Sequence, residues 1–234
     1  MSHRPKILDL FCGVGGAASG YNRAGFEVVG VDIVEQPRYP FEFCHNDALR
    51  HMKRVLAGVE SYDAIHASPP CQAFTAYGRT GCVRDDHPNL IPETREMLIA
   101  SGLPYVIENV PGAPLIDPVQ ICGTGLGIRV RRHRLFETNW PLRGVPCAHK
   151  RFTDRIFPGS SNRPNGRTVM NVGEYRVPLA TQREVMEMPW SDLYGIAQAI
   201  PPAYAEMIGV QLMQLIEQVN RQREDCHPRL EQVQ

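Results

Sequence analysis

What this chain lacks narrows its function before any motif is read. It has no net charge, with 25 Lys and Arg against 25 Asp and Glu. No bulk field therefore attracts a polyanion, and any nucleic-acid contact has to come from a local basic patch. No apolar run is long enough to span a bilayer, and the first residues, Met-Ser-His-Arg-Pro-Lys, carry no apolar signal region. A membrane role is not expected. The 7 cysteines are odd in number and irregularly spaced, which argues against a disulfide framework and for free thiols in a reducing cytoplasm. There is no internal repeat and no low-complexity tract. A chain of 234 residues then suits one α/β domain with at most a small appendage.

What is present alternates strand-length and helix-length segments. Residues 6–11 hold a short apolar run (Ile7-Leu8-Asp9-Leu10), followed at once by Gly13-Val14-Gly15-Gly16 and a helix-length stretch ending at Gly25. Strand, glycine turn and helix bring a ligand close to backbone N–H groups. The next strand, residues 27–31, ends in Asp32, about 20 residues past the glycines, where a ribose-binding acid belongs. A third strand closes at Asp47, which can meet an adenine amino group, cap the helix at residues 48–56, or do both. Residues 92–101 have helical spacing between Pro92 and Gly102, and Tyr105-Val106-Ile107 is a fifth strand leading into Glu108-Asn109-Val110. The expected fold is a doubly wound, mostly parallel sheet with its functional groups along one edge.

The fourth strand, residues 62–67, stops at Ser68-Pro69-Pro70-Cys71-Gln72. Two prolines fix the backbone and end the ladder, so a cysteine is held rigidly at a strand's carboxyl end. A lone cysteine is more often a buried structural residue. Here a carboxylic acid, Glu108, ends the neighbouring strand, and thiol plus acid on a nucleotide-type fold points to covalent catalysis with acid assistance. The irregular stretch 74–90 beside this cysteine reads as a mobile lid.

Asp9-Leu10-Phe11-Cys12-Gly13-Val14-Gly15-Gly16, Pro69-Pro70-Cys71-Gln72, Glu108-Asn109-Val110 and Arg132-His133-Arg134 occur in the order of the motifs of DNA cytosine-5 methyltransferases. The chain resembles that family over residues 7–136 and again over 178–213. The resemblance implies the Rossmann-like fold of class I methyltransferases, S-adenosylmethionine as cofactor and cytosine-containing DNA as partner, in a bacterial or phage-infected cell and with no obligate protein partner. It assigns Cys71 as the nucleophile at ring C6 and Glu108 as the acid at N3. Arg134 goes to the base and the Glu108 region, and Arg132 to site electrostatics or a flanking phosphate. For the cofactor it implies Phe11, Cys12, Gly13, Gly15, Asp32, Ile33, Asp47, Pro70, Gln198 and Ala199. For the substrate it implies Gln72, Asn109, Val110, Arg151 and Arg155. Residues 129–136 alternate basic and apolar, as a strand with one charged face does. Val130 stands where the family usually has glutamine, and Ala197-Gln198 where it has Gly-Asn. Residues 178–190 resemble the penultimate motif, with Thr181 as a helix cap, and residues 195–202 the last one. An apolar-striped helix at 203–219 follows, expected to pack beside the first helix, and then a polar, frayed tail from 221 to 234.

Family members that read a DNA sequence carry a sizeable recognition domain before the penultimate motif. Only residues 137–177 are available here, between a catalytic and cofactor-binding unit at 1–136 and completing helices at 178–220. This insert sets Arg143, Lys150, Arg151, Arg155, Arg163, Arg167 and Arg176 against Glu137, Asp154 and Glu174. It reads equally as a basic arm for phosphate contacts or as a plain surface loop. Relaxed sequence preference follows from its size. Cys147-Ala148-His149 offers one close pair of metal donors without a second, so no metal site is expected. The same chemistry on RNA or a free pyrimidine nucleotide, and a non-catalytic binding relative, remain alternatives. A nicotinamide dehydrogenase would share the glycine turn and Asp32 but leave Pro-Cys-Gln unexplained.

Overall fold

The computed structural model describes residues 4–74, 88–152, 169–172 and 177–226. Residues 75–87 of the candidate lid, Arg155 and about half of the basic insert lie outside the described residues. The first half builds β1 (Lys6–Leu10), α1 (Gly16–Arg23), β2 (Glu27–Asp32), β3 (Glu42–His45), α2 (Ala48–Leu56), β4 (Ala64–Ala67), a single 3-10 turn (Gln72–Phe74), α3 (Ile91–Ser101) and β5 (Tyr105–Asn109). The second half adds β6 (Val119–Cys122), β7 (Val130–Arg131), β8 (His133–Thr138), β9 (Met170–Asn171), α4 (Leu179–Met186), α5 (Leu193–Gln198) and α6 (Pro202–Cys226). Seven strands form one sheet in the order β3-β2-β1-β4-β5-β8-β6, and β7 pairs with β9 in a small second sheet. The sheet is parallel except for β8, which runs antiparallel to both neighbours. This is the mostly parallel sheet expected from the sequence.

Burial explains why the central strands read as unbroken apolar runs. Every residue of β4 and β5 is buried, as parallel strands covered on both faces must be. Ile7, Val28, Ala64 and Val106 pack against α1 and α6, while Leu8, Val29, Ile65 and Ile107 pack against α2 and α3. Strand order reverses between β1 and β4, which opens a crevice at their carboxyl ends.

Helix α6 lies against α1, as the sequence led us to expect, and two glycines let the backbones touch. A Cβ on Gly16 would stand 2.3 Å from the Ile200 carbonyl oxygen, and one on Gly20 2.1 Å from that of Pro202. The obstacle at Gly20 is backbone, which cannot swing aside. Gly20→Ala is therefore expected to destabilise the fold by about 3 kcal/mol, despite alanine's better helix propensity. Urea unfolding of the two proteins measures it. The helix also runs further than its apolar stripe: residues 221–226 continue it. Glutamine, arginine and glutamate favour helix there, and the next breaker is Pro228.

Three other elements differ from expectation. The basic-apolar run at 129–136 is two strands, broken at Arg132. Thr181 sits inside α4, whose N-cap is Pro178 with no side-chain hydrogen bond, so Thr181 is not a cap. Glu137 belongs to β8 rather than to a solvated insert. It is buried and forms a double contact with Arg95 of α3 (2.6 and 2.7 Å), while accepting from the Ile116 N–H. Edge strand β6 has no counterpart among the expected elements. Its four residues are only half buried and show no run long enough to register. Among the described residues no helix is long and apolar enough to cross a membrane.

Candidate active site

The crevice between β1 and β4 deepens into a cavity of about 520 Å³. One end is built by the first βα turn. Phe11 takes a left-handed conformation (φ 57°) that few non-glycine residues adopt, and it lines the cavity. Gly13 follows at φ 49°, and a Cβ there would meet no protein atom within 4 Å. Asp32 fastens the turn: its Oδ2 accepts from the Gly13 N–H and its Oδ1 from the Val34 N–H, both at 2.9 Å. Each oxygen keeps a second lone pair for a ligand hydroxyl. Ile33 and Val34 line the same end with 66% and 60% of their surface exposed, a large apolar face left open to solvent. Open backbone at Gly13, a carboxylate and two apolar walls fit an adenosine-type group.

The other end carries the reactive groups. Ser68, Pro69, Pro70, Cys71 and Gln72 enter from β4, Glu108 and Val110 from β5, and Arg134 from β8, all lining the one cavity. Cys71 is partly exposed. Burial pushes its thiol pKa up, and Glu108 adds to this, while the Arg134 and Arg132 charges pull it down. Cys12, also on the cavity wall, is buried beside Asp9 and Asp32, and its thiol is raised far more strongly. Of these two cavity cysteines, Cys71 is the one that combines access with nearby cations, as a nucleophile requires. Glu108 Oε1 lies 2.9 Å from Arg134 Nε yet receives no aligned hydrogen bond among the described residues, so a cavity-lining carboxyl keeps one buried oxygen without a proper donor.

The strand holding Cys71 is braced from below. The Tyr21 hydroxyl meets His66 Nδ1 at 2.9 Å, and His66 Nε2 meets Ser68 Oγ at 3.0 Å. Burial pushes His66 down to about 3, so the chain stays neutral. The Asn109 amide donates to the Pro69 carbonyl (2.9 Å), and its oxygen accepts from the Val110 N–H. Asn109 is only 1% exposed and does not line the cavity. The substrate-binding role expected of it is corrected: both ends of its amide are used to clamp the Pro-Pro-Cys turn.

Arg132 takes part in the site's electrostatics, pulling the Cys71 thiol down, and only the flanking-phosphate alternative is corrected. It is buried, donates to the Ala197 and Gln198 carbonyls (2.9 and 3.0 Å), and is out of reach of a flanking phosphate. Burial, with the Arg134 charge, pulls it down to about 9. It ties the α5–α6 junction to the site, where Gln198 and Ala199 line the cavity. Gly15 caps α1 in a left-handed conformation against Tyr39 and Pro40 without lining the cavity. Asp47 accepts from the Arg50 N–H at the head of α2 and does not line it either. Arg151 lies against Gly127, away from the cavity. Val130 is core, packed with Met170 and Met186, where a glutamine would bury an amide.

Sequence reading passed over Asp9 as a strand residue. It lines the cavity, fully buried, with Oδ1 lacking an aligned partner among the described residues. Burial pushes its pKa from 3.8 up to about 8, partly offset by the Tyr39 hydroxyl. The folded state thus holds a proton that the unfolded chain releases near pH 4. This contribution to stability is full below about pH 4 and is lost as pH rises through about 8. Asp9→Asn is expected to flatten the fall in unfolding free energy across that window, as urea titrations at several pH values will report. A separate cavity between Lys6, Glu42, Glu60 and Asp63 lies at the opposite, amino ends of β1 and β4, and burial, with the Glu60 charge, pushes the thiol of its Cys44 up.

Comparison with known proteins follows the same outline. Residues 5–115 match the model of the C-5 cytosine-specific DNA methylase family. The chain is 31% identical over 122 residues to the type II methyltransferase M.HgiGI of Herpetosiphon aurantiacus, covering 47% of this chain and 94% of that protein. The chain belongs to the C-5 cytosine-specific DNA methylase family. Type II methyltransferase M.AgeI of Thalassovita gelatinovora is 32% identical over 49% of the chain and 28% of its own length. Human tRNA (cytosine(38)-C(5))-methyltransferase is 28% identical over 56% of the chain and 41% of its own length. This family member thus spans less than half the length of those two relatives. A prophage protein of E. coli, assigned as a DNA modification methyltransferase, shares the fold at a TM-score of 0.62 and 16% identity, over 91% of this chain and 99% of that one.

Proposed function

We propose that this protein transfers a methyl group from S-adenosylmethionine to C5 of cytosine in DNA through a covalent bond between Cys71 and ring C6. The observation that carries the reading is one cavity lined by Cys71, Glu108 and Arg134 at one end and by Phe11, Gly13 and Asp32 at the other. Phe11 and Ile33 would hold the adenine, Asp32 the ribose hydroxyls, and Gly13 with Ala199 the rest of the cofactor. When bound, the cofactor supplies an electrophilic methyl group.

Cytosine C5 is too weak a nucleophile to take that methyl unaided. The Cys71 thiol loses its proton, sulfur adds to C6, and the ring's electrons move towards C5 and N3. Glu108 shares a proton with N3, so that negative charge does not build on the ring. Arg134 holds the Glu108 carboxyl in place and offsets charge on the pyrimidine. Once the C5–methyl bond has formed at the expense of the cofactor's sulfur–methyl bond, loss of the C5 proton to a base or water expels the Cys71 sulfur as thiolate. The N3 proton returns to Glu108. A base in duplex DNA must leave the stack to reach Cys71, at a cost of a few kcal/mol.

The tRNA methyltransferase among the relatives favours RNA as a second reading. Incubation with methyl-labelled cofactor and either DNA, tRNA or dCTP tests both. Label is expected in DNA cytosine alone. Label confined to tRNA or dCTP moves the same chemistry to that substrate, and none anywhere refutes it.

A further inference from the structure

Four donor side chains meet away from the cavity. Cys122 ends β6, and His133 opens β8 directly opposite it in the antiparallel register. Cys147 and His149 come back from the loop beyond β8, and all four donor atoms lie within 4.8 Å of one another. Cys122 Sγ is 3.5 Å from His149 Nε2, Cys147 Sγ is 3.4 Å from His133 Nε2, and the two Nε2 atoms are 3.2 Å apart. A tetrahedral zinc with ordinary Zn–S and Zn–N lengths has nitrogen–nitrogen edges of about 3.3 Å and nitrogen–sulfur edges of about 3.5 Å. Those three edges of the cluster already match, and the remaining donor pairs lie within 4.8 Å.

We propose that Cys122, His133, Cys147 and His149 form a structural zinc site. The second donor pair that the sequence lacked at close spacing is supplied by cross-strand pairing. Four protein donors leave no open position, which marks a structural rather than a catalytic site. On binding, the two thiols release their protons to solvent and the two imidazoles remain neutral, so two thiolates cancel the charge of the ion. Thr124 serves the sulfur next to it. Its hydroxyl oxygen accepts from the Ala148 N–H at 3.2 Å, which leaves its proton to donate to Cys122 Sγ, 3.3 Å away. Close approach of the loop is built in, because a Cβ on Gly125 would stand 2.6 Å from the Pro146 carbonyl oxygen. The consequence is positional. His133 sits between Arg132, which holds the α5–α6 junction, and Arg134, which holds Glu108. An ion here fixes that strand and fastens the start of the basic insert to the sheet.

Metal analysis of the full chain, purified without chelator, is expected to find about one zinc per chain. Replacing zinc with Co2+ should give the intense visible bands of a tetrahedral site and a thiolate-to-cobalt charge-transfer band. Cys147→Ser, at an exposed loop position, should weaken zinc retention by about 10-fold or more, while Cys71→Ser retains it fully. Wild-type protein that holds no stoichiometric zinc and gives no tetrahedral cobalt spectrum overturns the site. So does a disulfide between Cys122 and Cys147, or metal loss in Cys71→Ser but not Cys147→Ser. None of these readouts depends on methyl transfer.

Discussion

Replacing Cys71 with serine is expected to lower methyl transfer on the order of 10⁴-fold or more, with cofactor binding almost unchanged. A serine hydroxyl has the size to fill the site but holds its proton far too tightly to add to a pyrimidine at neutral pH. Cys71 itself is raised by burial, with Arg134 and Arg132 pulling the other way. The wild-type rate should therefore still climb above neutral pH, as the thiolate fraction grows. Arg134→Ala removes the larger lowering influence and should move that rise to higher pH. Single-turnover transfer of labelled methyl, alongside cofactor binding by calorimetry, separates a lost nucleophile from a lost fold. A residual rate within tenfold of wild type would assign the chemistry to another group.

The second large effect is expected at Glu108. Glu108→Gln keeps the shape and an acceptor oxygen but cannot pass a proton to N3, and kcat should fall about 10²- to 10⁴-fold. The change also leaves Arg134, only 14% exposed, without its anionic partner. Some loss of stability accompanies it, which a thermal melt will show. Acid assistance predicts a fall in kcat with little change in KM for DNA. A rise in KM alone would make Glu108 a binding residue.

Much of this arrangement is written locally in the chain. Strands β1, β2, β4 and β5 announce themselves because both faces are buried and each ends at Gly, Asp, Pro or Glu. Gly13, Asp32, Cys71 and Glu108 follow from their places at the ends of those strands, while Phe11 comes from the family resemblance. Legibility fails where a partner is distant in sequence. Nothing near Arg132 foretells that its guanidinium turns inward to carbonyls 65 and 66 residues away. Nothing near Asn109 shows that its amide spans to Pro69. Asp9 reads as an ordinary strand acid until burial raises it. The Cys122–His133 pair exists only through strand register, which spacing rules for metal sites do not capture.

The central claim is a sulfur–carbon bond at Cys71. An oligonucleotide carrying 5-fluorocytosine tests it directly, because fluorine at C5 cannot leave as a proton and the adduct stays closed. With S-adenosylmethionine present, the wild-type chain should form a complex that survives denaturation. Peptide mapping should place the modified pyrimidine on Cys71, and Cys71→Ser should give no adduct. Methylated cytosine formed on ordinary DNA, with no adduct on the fluorinated strand or with the adduct on another cysteine, would contradict the account.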